Sequence, residues 1–487
     1  MLSHAVYERA RLARDARFDG RFFIGVKTTG IYCRPICPAT APKSANVSFY
    51  PSAAAAAEAG YRPCLRCRPE CAPGTPAWNG TSATVSRGLR LIADGALDEG
   101  GIEDLADRLG VTSRHLRRLF AQHVGASPLA VAHTQRLHFA KRLLDETRLP
   151  MTHVAVAAGY GSVRRFNDAF RSSYGRSPRE LRKHGGAAHG AAGPLTVRLH
   201  WREPYDWGAL LKFLAGRATP GVEQVTGDAY LRSVSVEGQP GVIECRPDRA
   251  RGALRLCLHG IEAVKLLPIV ERVRELFDLD APIAEIGEVF GADELLAPRL
   301  AAAPGLRVPG SWDGFELTVR AILGQQVSVK AATTLAGRVA ERYGERFELP
   351  ATLAARREEL RLTRLFPTPG RLARARLAGL GLVGKRAAAI CHVARAAADG
   401  KLRFDRAQDA AEQGAALAAI PGIGDWTAQY VLMRGLKYPD AFPAADLGLI
   451  KASGLGPAAL TRRAEAWRPW RAYAALLLWN SLPSSGG

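Results

Sequence analysis

The stretch Ile420-Pro-Gly-Ile-Gly-Asp-Trp426 joins two predicted helices through a glycine-rich hairpin, and Asp446 follows Trp426 by twenty residues within FPAADLGLIK, residues 442–451. The turn formed by Pro421, Gly422, Ile423 and Gly424 can present backbone N–H groups to a phosphate, an anion site at a helix terminus that needs no side chain. Such turns also occur as plain packing between helices. Asp446 on its own reads as the N-cap of a helix beginning at Leu447, which accounts for most aspartates in that setting.

Working outward from the hairpin, strand signals are missing from about residue 284 onward, where Ala-, Leu- and Arg-rich helices alternate with Gly and Pro, so this part is expected to be all-α. Ahead of it, 195–199, 230–236, 242–246 and 253–258 alternate like strands, with amphipathic helices near 207–218 and 261–277, which predicts a small α+β domain. The stretch GGAAHGAAGP, residues 185–194, has no large apolar side chain and reads as a flexible connector. A Pro- and Gly-rich piece at 73–80 marks another boundary.

At 487 residues the chain is long enough for about three or four domains. Hydrophobic residues make up 47% and mean hydropathy is −0.07, which excludes global disorder. A net charge of +21 and a pI near 10.0 favour a polyanionic partner, nucleic acid ahead of an anionic membrane surface. No apolar run is long enough to span a membrane, and Glu8, Arg9, Arg11, Arg14 and Asp15 stand where a signal peptide would be apolar. A cytoplasmic, non-membrane protein is expected.

Residues 84–184 repeat themselves at an offset of 50: Leu116 and Phe120 recur as Phe166 and Phe170, and Gly125-Ala-Ser127-Pro128 recurs as Gly175-Arg-Ser177-Pro178. In each copy a short helix, a glycine turn and a second basic helix follow one another. Ser113 is expected to cap the helix that carries Arg114, Arg117 and Arg118 outward, and Ser162 the one that carries Arg164 and Arg165. The bland alternative is a bundle with a solvated basic face.

Five of the eight cysteines, Cys33, Cys37, Cys64, Cys67 and Cys71, fall between residues 33 and 71, too sparse for a disulfide scaffold and clustered as for a metal. The pairs Cys33-x3-Cys37 and Cys64-x2-Cys67 supply the two knuckles of a tetrahedral Zn2+ site. From spacing alone a structural staple is the commoner role, although a bound thiolate stays deprotonated and nucleophilic. The words VKTTGIYCRPIC (26–37), NVSFY (46–50) and GYRPCLRC (60–67) resemble the N-terminal domain of Ada-type methylated-DNA responders, and the repeated unit behind them resembles their AraC-type segment. The resemblance covers about residues 5–184. It implies that Cys33 takes a methyl group from a DNA methylphosphotriester, once and irreversibly, with Cys37, Cys64 and Cys67 as fellow ligands of one structural and thiolate-activating zinc. Converting a thiolate to a thioether moves the centre from −2 to −1, which eases its repulsion from phosphates and makes methylation a binding switch. Cys71 stands outside the pattern. The only Cys-His pair, Cys391-His392, lacks the Pro and Arg of the second Ada acceptor motif and reads as a helix-core cysteine.

The hairpin and Asp446 together resemble the helix-hairpin-helix glycosylase superfamily. More closely, Tyr205-Asp-Trp207 with Phe213, FELTVRAILGQQVS (315–328), Phe366-Pro-Thr-Pro369, the hairpin, and Trp470 through Trp479 resemble AlkA-type 3-methyladenine DNA glycosylase II over about 195–482. The resemblance implies that Phe213, Trp426, Tyr430 and Trp479 surround a flipped cationic base, where core packing would be their ordinary fate. It implies that Asp446 stabilises an oxocarbenium-like sugar or activates water. Bifunctional relatives carry a lysine where this chain has Trp426, so no lyase step is expected. Gln326 takes the place of an apolar wedge, and Leu447 that of an aromatic pocket wall.

The expectation is thus a multidomain, mainly α chain: 1–75 a zinc methyl-acceptor α/β domain, 82–185 an AraC-type double helix-turn-helix, 186–194 a linker, 195–283 the α+β domain and 284–487 the all-α glycosylase. Its partners are alkylation-damaged double-stranded DNA, promoter DNA and RNA polymerase, and it is expected to act as a monomer. Two other readings compete: a transcription activator whose rear half only binds lesions, and a zinc-stapled scaffold without chemistry. Asp446 at its expected spacing speaks for the enzyme.

Overall fold

In a computed structural model the structure describes residues 3–15, 18–72, 83–147, 149–184, 194–262, 266–377, 379–382, 384–404 and 410–482. The predicted connectors at 73–80 and 185–193, and residues 263–265 of one predicted helix, lie outside the described residues.

The first unit is a four-stranded sheet in the order Val47–Tyr50, Phe23–Val26, Ile31–Cys33, Arg62–Pro63. Its strands are antiparallel except for the last pair, which is parallel. One face buries Phe22, Ile24 and Val47, and the other buries Phe23 and Tyr32 beside the short helix Ala53–Glu58. Tyr32 also binds the ring of His138 at 2.8 Å, which ties this sheet to the helical unit behind it.

The two repeat copies are helix pairs on either side of the long helix Pro128–Glu146. Leu116, Phe120, Phe166 and Phe170 are all fully buried, as the offset of 50 requires. The first cap differs from expectation: Thr112, not Ser113, accepts from His115 N at 3.3 Å, so Ser113 is already the first helical residue of Ser113–Val124. Adjacent hydroxyl residues cannot be ranked from pattern alone, because either can fill an N-cap. Ser162 caps Val163–Tyr174 as expected, accepting from Arg165 N at 3.2 Å. Gly125 and Gly175 end the two basic helices with φ of 73° and 67°, the left-handed conformation that favours glycine.

The α+β unit is a five-stranded antiparallel sheet ordered Leu195–His200, Ala253–His259, Gln239–Asp248, Ala229–Val236, Glu223–Thr226. The last strand was not expected; its residues EQVT carry only one apolar side chain and give no alternating signal. The helix expected at 207–218 stops at Ala215, because Gly216 follows. One sheet face packs Val197, Tyr230 and Ile243 against helices Trp207–Ala215 and Leu266–Leu276. Leu353, Leu360 and Leu362 of the C-terminal part cover Ala229, Leu231 and Val242 on the other. The region beyond 284 is therefore not purely α-helical packing: one arm with no α-helix, carrying the short 3-10 helix Ala351–Arg356 and closed by a bridge between Arg346 and Arg364, serves the sheet.

The remaining helices form two cores. One joins Phe315, Val319, Val339, Ile390, Ile423 and Val431, and the other joins Phe290, Leu432, Leu449, Trp467 and Leu478. Tyr430 packs against both, so the helix Asp425–Arg434 marks their seam. No helix among the described residues is long and apolar enough to cross a membrane.

Candidate active site and zinc centre

The hairpin places the seam residues. Helix Ala410–Ala418 ends, the chain turns, and Asp425–Arg434 begins with Gly424 as an N-cap that offers no side chain to its first-turn amides. Gly422 has φ +92°, and a Cβ there would lie 2.8 Å from the Ala389 Cβ, so conformation and space both demand glycine. Ile423 is buried and anchors the loop, while Pro421, Gly422 and Gly424 are exposed. Exposed amides at a helix start suit a phosphate.

Trp426 and Tyr430, one turn apart, stack at 5.1 Å and 11°. Trp479 meets Tyr430 at 6.5 Å from helix Arg471–Asn480. Asp446 lies between these rings. Its Oδ2 accepts the Trp426 indole N–H at 2.7 Å, and its Oδ1 accepts the Trp479 indole N–H at 2.8 Å and Leu449 N at 2.9 Å. One carboxylate thus caps the helix Leu447–Ser453 and accepts from both indoles. Three of its roughly four acceptor positions are occupied, and the remaining one is on Oδ2. Asp446 is half-buried, as are Trp426, Tyr430 and Trp479.

Phe213 joins this group through two guanidiniums. Arg217 sits 3.8 Å over its ring, and Arg434 lies 4.8 Å from Phe213 and 5.3 Å from Tyr430. Arg434 is fixed by the carbonyls of Pro309 and Gly310 at 2.8 and 3.0 Å and donates to the Tyr430 hydroxyl at 2.5 Å. Burial pushes the Tyr430 phenol up, but Arg434 and Arg217 more than offset it, leaving its pKa below the ordinary value. These rings already hold cations, which is the electrostatic preference a cationic base would use. The two arginines were not found by sequence reasoning; i, i+4 spacing from Phe213 and Tyr430 was the available signal.

Gln326 is exposed at the turn between helices Gly314–Leu323 and Val329–Tyr343, with φ +54°, a strained conformation for a non-glycine residue and one suited to a projecting tip. Its neighbour Gln325, which the sequence did not single out, donates to the Gly422 carbonyl at 3.0 Å and to Thr427 Oγ1 at 3.1 Å, so tip and hairpin share one face. Leu447, the first residue of the helix Leu447–Ser453, is 82% exposed.

The sulfurs of Cys33, Cys37, Cys64 and Cys67 all lie within 4.8 Å of one another. Zn–S bonds of about 2.3 Å put tetrahedral ligand sulfurs about 3.8 Å apart, so the four cysteines fit a zinc ion. The Cys37 thiol is drawn below its ordinary value, chiefly by its hydrogen bond with Cys33. Arg34 N donates to Cys67 Sγ at 3.3 Å, and its side chain pairs with Asp19 and the Cys67 carbonyl, holding the loop shut. Cys33, Cys37 and Cys64 open onto a cleft of about 460 Å³ whose rim includes Arg11, Arg14, Arg34, Arg62 and Arg66, a basic setting for a phosphate ester. Cys71 is buried outside the four-sulfur group, and Cys391 is half-buried with its thiol 3.8 Å from the Ala375 carbonyl. Arg114, Arg117, Arg118, Arg164 and Arg165 are all exposed on the second helices of their pairs.

A hairpin, a carboxylate at a seam of two helical cores and a sheet domain in front make the rear half a helix-hairpin-helix base-excision fold, and the front half is a four-thiolate zinc domain with paired helix-turn-helix units. The family profiles agree: "Metal binding domain of Ada" matches 7–70, "Helix-turn-helix domain" 105–184, "AlkA N-terminal domain" 196–313 and "HhH-GPD superfamily base excision DNA repair protein" 319–455. A Mycobacterium tuberculosis protein named "Probable bifunctional transcriptional activator/DNA repair enzyme AlkA" is 42% identical over 97% of this chain and 95% of its own length. The chain belongs to that family of Ada–AlkA fusions. Escherichia coli DNA-3-methyladenine glycosylase 2 is 42% identical over 58% of this chain and 95% of its own length. Among solved structures, a 3-methyladenine DNA-glycosylase from Archaeoglobus fulgidus shares the fold at a TM-score of 0.50 and 23% identity, covering 58% of this chain and 96% of that one.

Proposed function

We propose that this protein is a DNA alkylation repair enzyme and transcription activator in one chain, with zinc in its front half and a monofunctional 3-methyladenine-type glycosylase in its rear half. The observation that carries the glycosylase reading is the convergence of two indole N–H groups on the Asp446 carboxylate beside the Trp426–Tyr430 stack. A base alkylated at a ring nitrogen is cationic and leaves as a neutral molecule when the C1′–N bond breaks and its electron pair goes to the base. Phe213, Trp426, Tyr430 and Trp479 receive that base, and the free lone pair on Asp446 Oδ2 faces the positive charge that develops at C1′. Water then bonds to C1′ and loses a proton to the carboxylate or solvent. Gln326 fills the vacated stack, and the amides of Gly422, Gly424 and Asp425 hold the backbone phosphate, Pro421 having no N–H and the Ile423 N–H being donated to the Ile420 carbonyl at 3.0 Å.

In the front half, zinc keeps its cysteine ligands as thiolates. Cys33 attacks the methyl carbon of a phosphotriester, a C–S bond forms, and the electron pair of the broken C–O bond returns to the phosphate as a diester anion. Family likeness, rather than the cleft, singles out Cys33 from its neighbours. The methylated form binds promoter DNA through Arg114, Arg117, Arg118, Arg164 and Arg165 and engages RNA polymerase, as a cytoplasmic monomer. Release of 3-methyladenine from methylated duplex, together with methyl uptake from phosphotriesters, tests both halves in one preparation.

A further inference from the structure

A second group of ligand-bearing side chains lies where the three units of the chain meet. Cys71 ends the short turn Pro69–Cys71 of the zinc domain, Glu146 is the last residue of the helix Pro128–Glu146, and His200 is the last residue of the first strand of the α+β sheet, Leu195–His200. The Cys71 sulfur, a Glu146 carboxylate oxygen and a His200 ring nitrogen all lie within 4.8 Å of one another. Each comes from a different unit, so the grouping is a product of how the units dock and of no local motif.

The three groups are held in place by atoms that leave their ligand positions available. Glu146 Oε2 accepts from Arg198 N at 2.8 Å, which pins the carboxylate against the strand two residues before His200. The His200 carbonyl accepts from Arg274 at 3.4 Å, while neither its ring nor the Cys71 thiol has a hydrogen-bond partner among the described residues. Of the nearby cations, Arg68 pairs with Asp145 at 2.7 Å and Glu70 at 3.3 Å and Lys141 with Asp145 at 2.6 Å, whereas the buried Arg142 acts on Glu146 and Cys71 themselves.

We propose that Cys71, Glu146 and His200 form a second transition-metal site, distinct from the four-cysteine centre, that takes Zn2+ and clamps the zinc domain and helix-turn-helix unit to the glycosylase half. Sulfur, imidazole and carboxylate are the three ligand types zinc takes, and bonds of about 2.0–2.3 Å would bring them within about 3.3–3.5 Å of one another, a small closure from the observed spacing. A thiolate and a carboxylate neutralise the ion, and the thiol proton is released on binding. Three protein ligands leave the fourth tetrahedral position to water.

The test is metal content of the full-length chain equilibrated with Zn2+ and freed of excess ion. Wild type is expected to hold two zinc ions per chain, and Cys71→Ser and His200→Ala one each, with Co2+ giving a second thiolate charge-transfer band in wild type that Cys71→Ser lacks. Zinc added to the single-zinc protein is expected to raise the Tm of wild type and to leave that of Cys71→Ser unmoved. One zinc per wild-type chain, two in Cys71→Ser, or equal Tm gains in both proteins would overturn the proposal.

Discussion

Trp426 donates its indole N–H to Asp446 Oδ2 at 2.7 Å across twenty residues of sequence, so the ring that stacks on Tyr430 also orients the carboxylate. Trp426→Phe keeps a ring for stacking and deletes the donor. A hydrogen bond to a charged group is worth about 1.5–3 kcal/mol, so single-turnover release of 3-methyladenine is expected to fall roughly 10- to 100-fold with DNA affinity little changed. A wild-type rate would show that the bond does not serve the reaction.

Arg217 lies 3.8 Å over Phe213, on a face the cationic base is expected to use. Arg217→Gln removes a positive charge from the pocket and should favour cationic over neutral bases. The ratio of release rates for 3-methyladenine and neutral hypoxanthine is expected to rise about three- to tenfold, corresponding to ~0.7–1.4 kcal/mol of relieved repulsion. An unchanged ratio would place Arg217 outside the pocket.

Gly422→Ala puts a Cβ 2.8 Å from Ala389 at φ +92°. The strain is about 1–3 kcal/mol, and relief can come only by shifting the hairpin. Both Tm and affinity for undamaged duplex are expected to drop, whereas Gly424→Ala, with nothing within 4 Å, should affect Tm less. Equal losses in the two variants would argue against the constraint.

Much of this site could be read from the chain because its parts carry local signals. The hairpin glycines, the spacing to Asp446 and the paired cysteines each reflect a constraint acting over a few residues. What escaped was set by tertiary approach. Both Trp426 and Trp479 were placed near the base, but two N–H groups meeting on one carboxylate depend on how separate helices cross. Gln325 looks like any polar turn residue until its contact with Gly422 is seen. The strand Glu223–Thr226 is specified by its partner Ala229–Val236 more than by its own side chains.

The four zinc-binding cysteines lie in and beside the small sheet. Strong chelation is expected to unfold the domain carrying Phe23–Val26 and abolish methyl uptake while base release persists. After reaction with methylphosphotriester DNA, peptide mass spectrometry should find one methyl group, on Cys33. A methyl on Cys37 or Cys64, which share the same cleft, would displace that assignment.

The most direct measurement is release of 3-methyladenine from methylated duplex by wild type and Asp446→Asn, with DNA binding followed in parallel. Asparagine can still cap the helix Leu447–Ser453, so the fold should persist. The expected result is a loss of at least about 100-fold in rate with affinity within a few-fold of wild type. An Asp446→Asn protein that releases base at the wild-type rate would contradict the account.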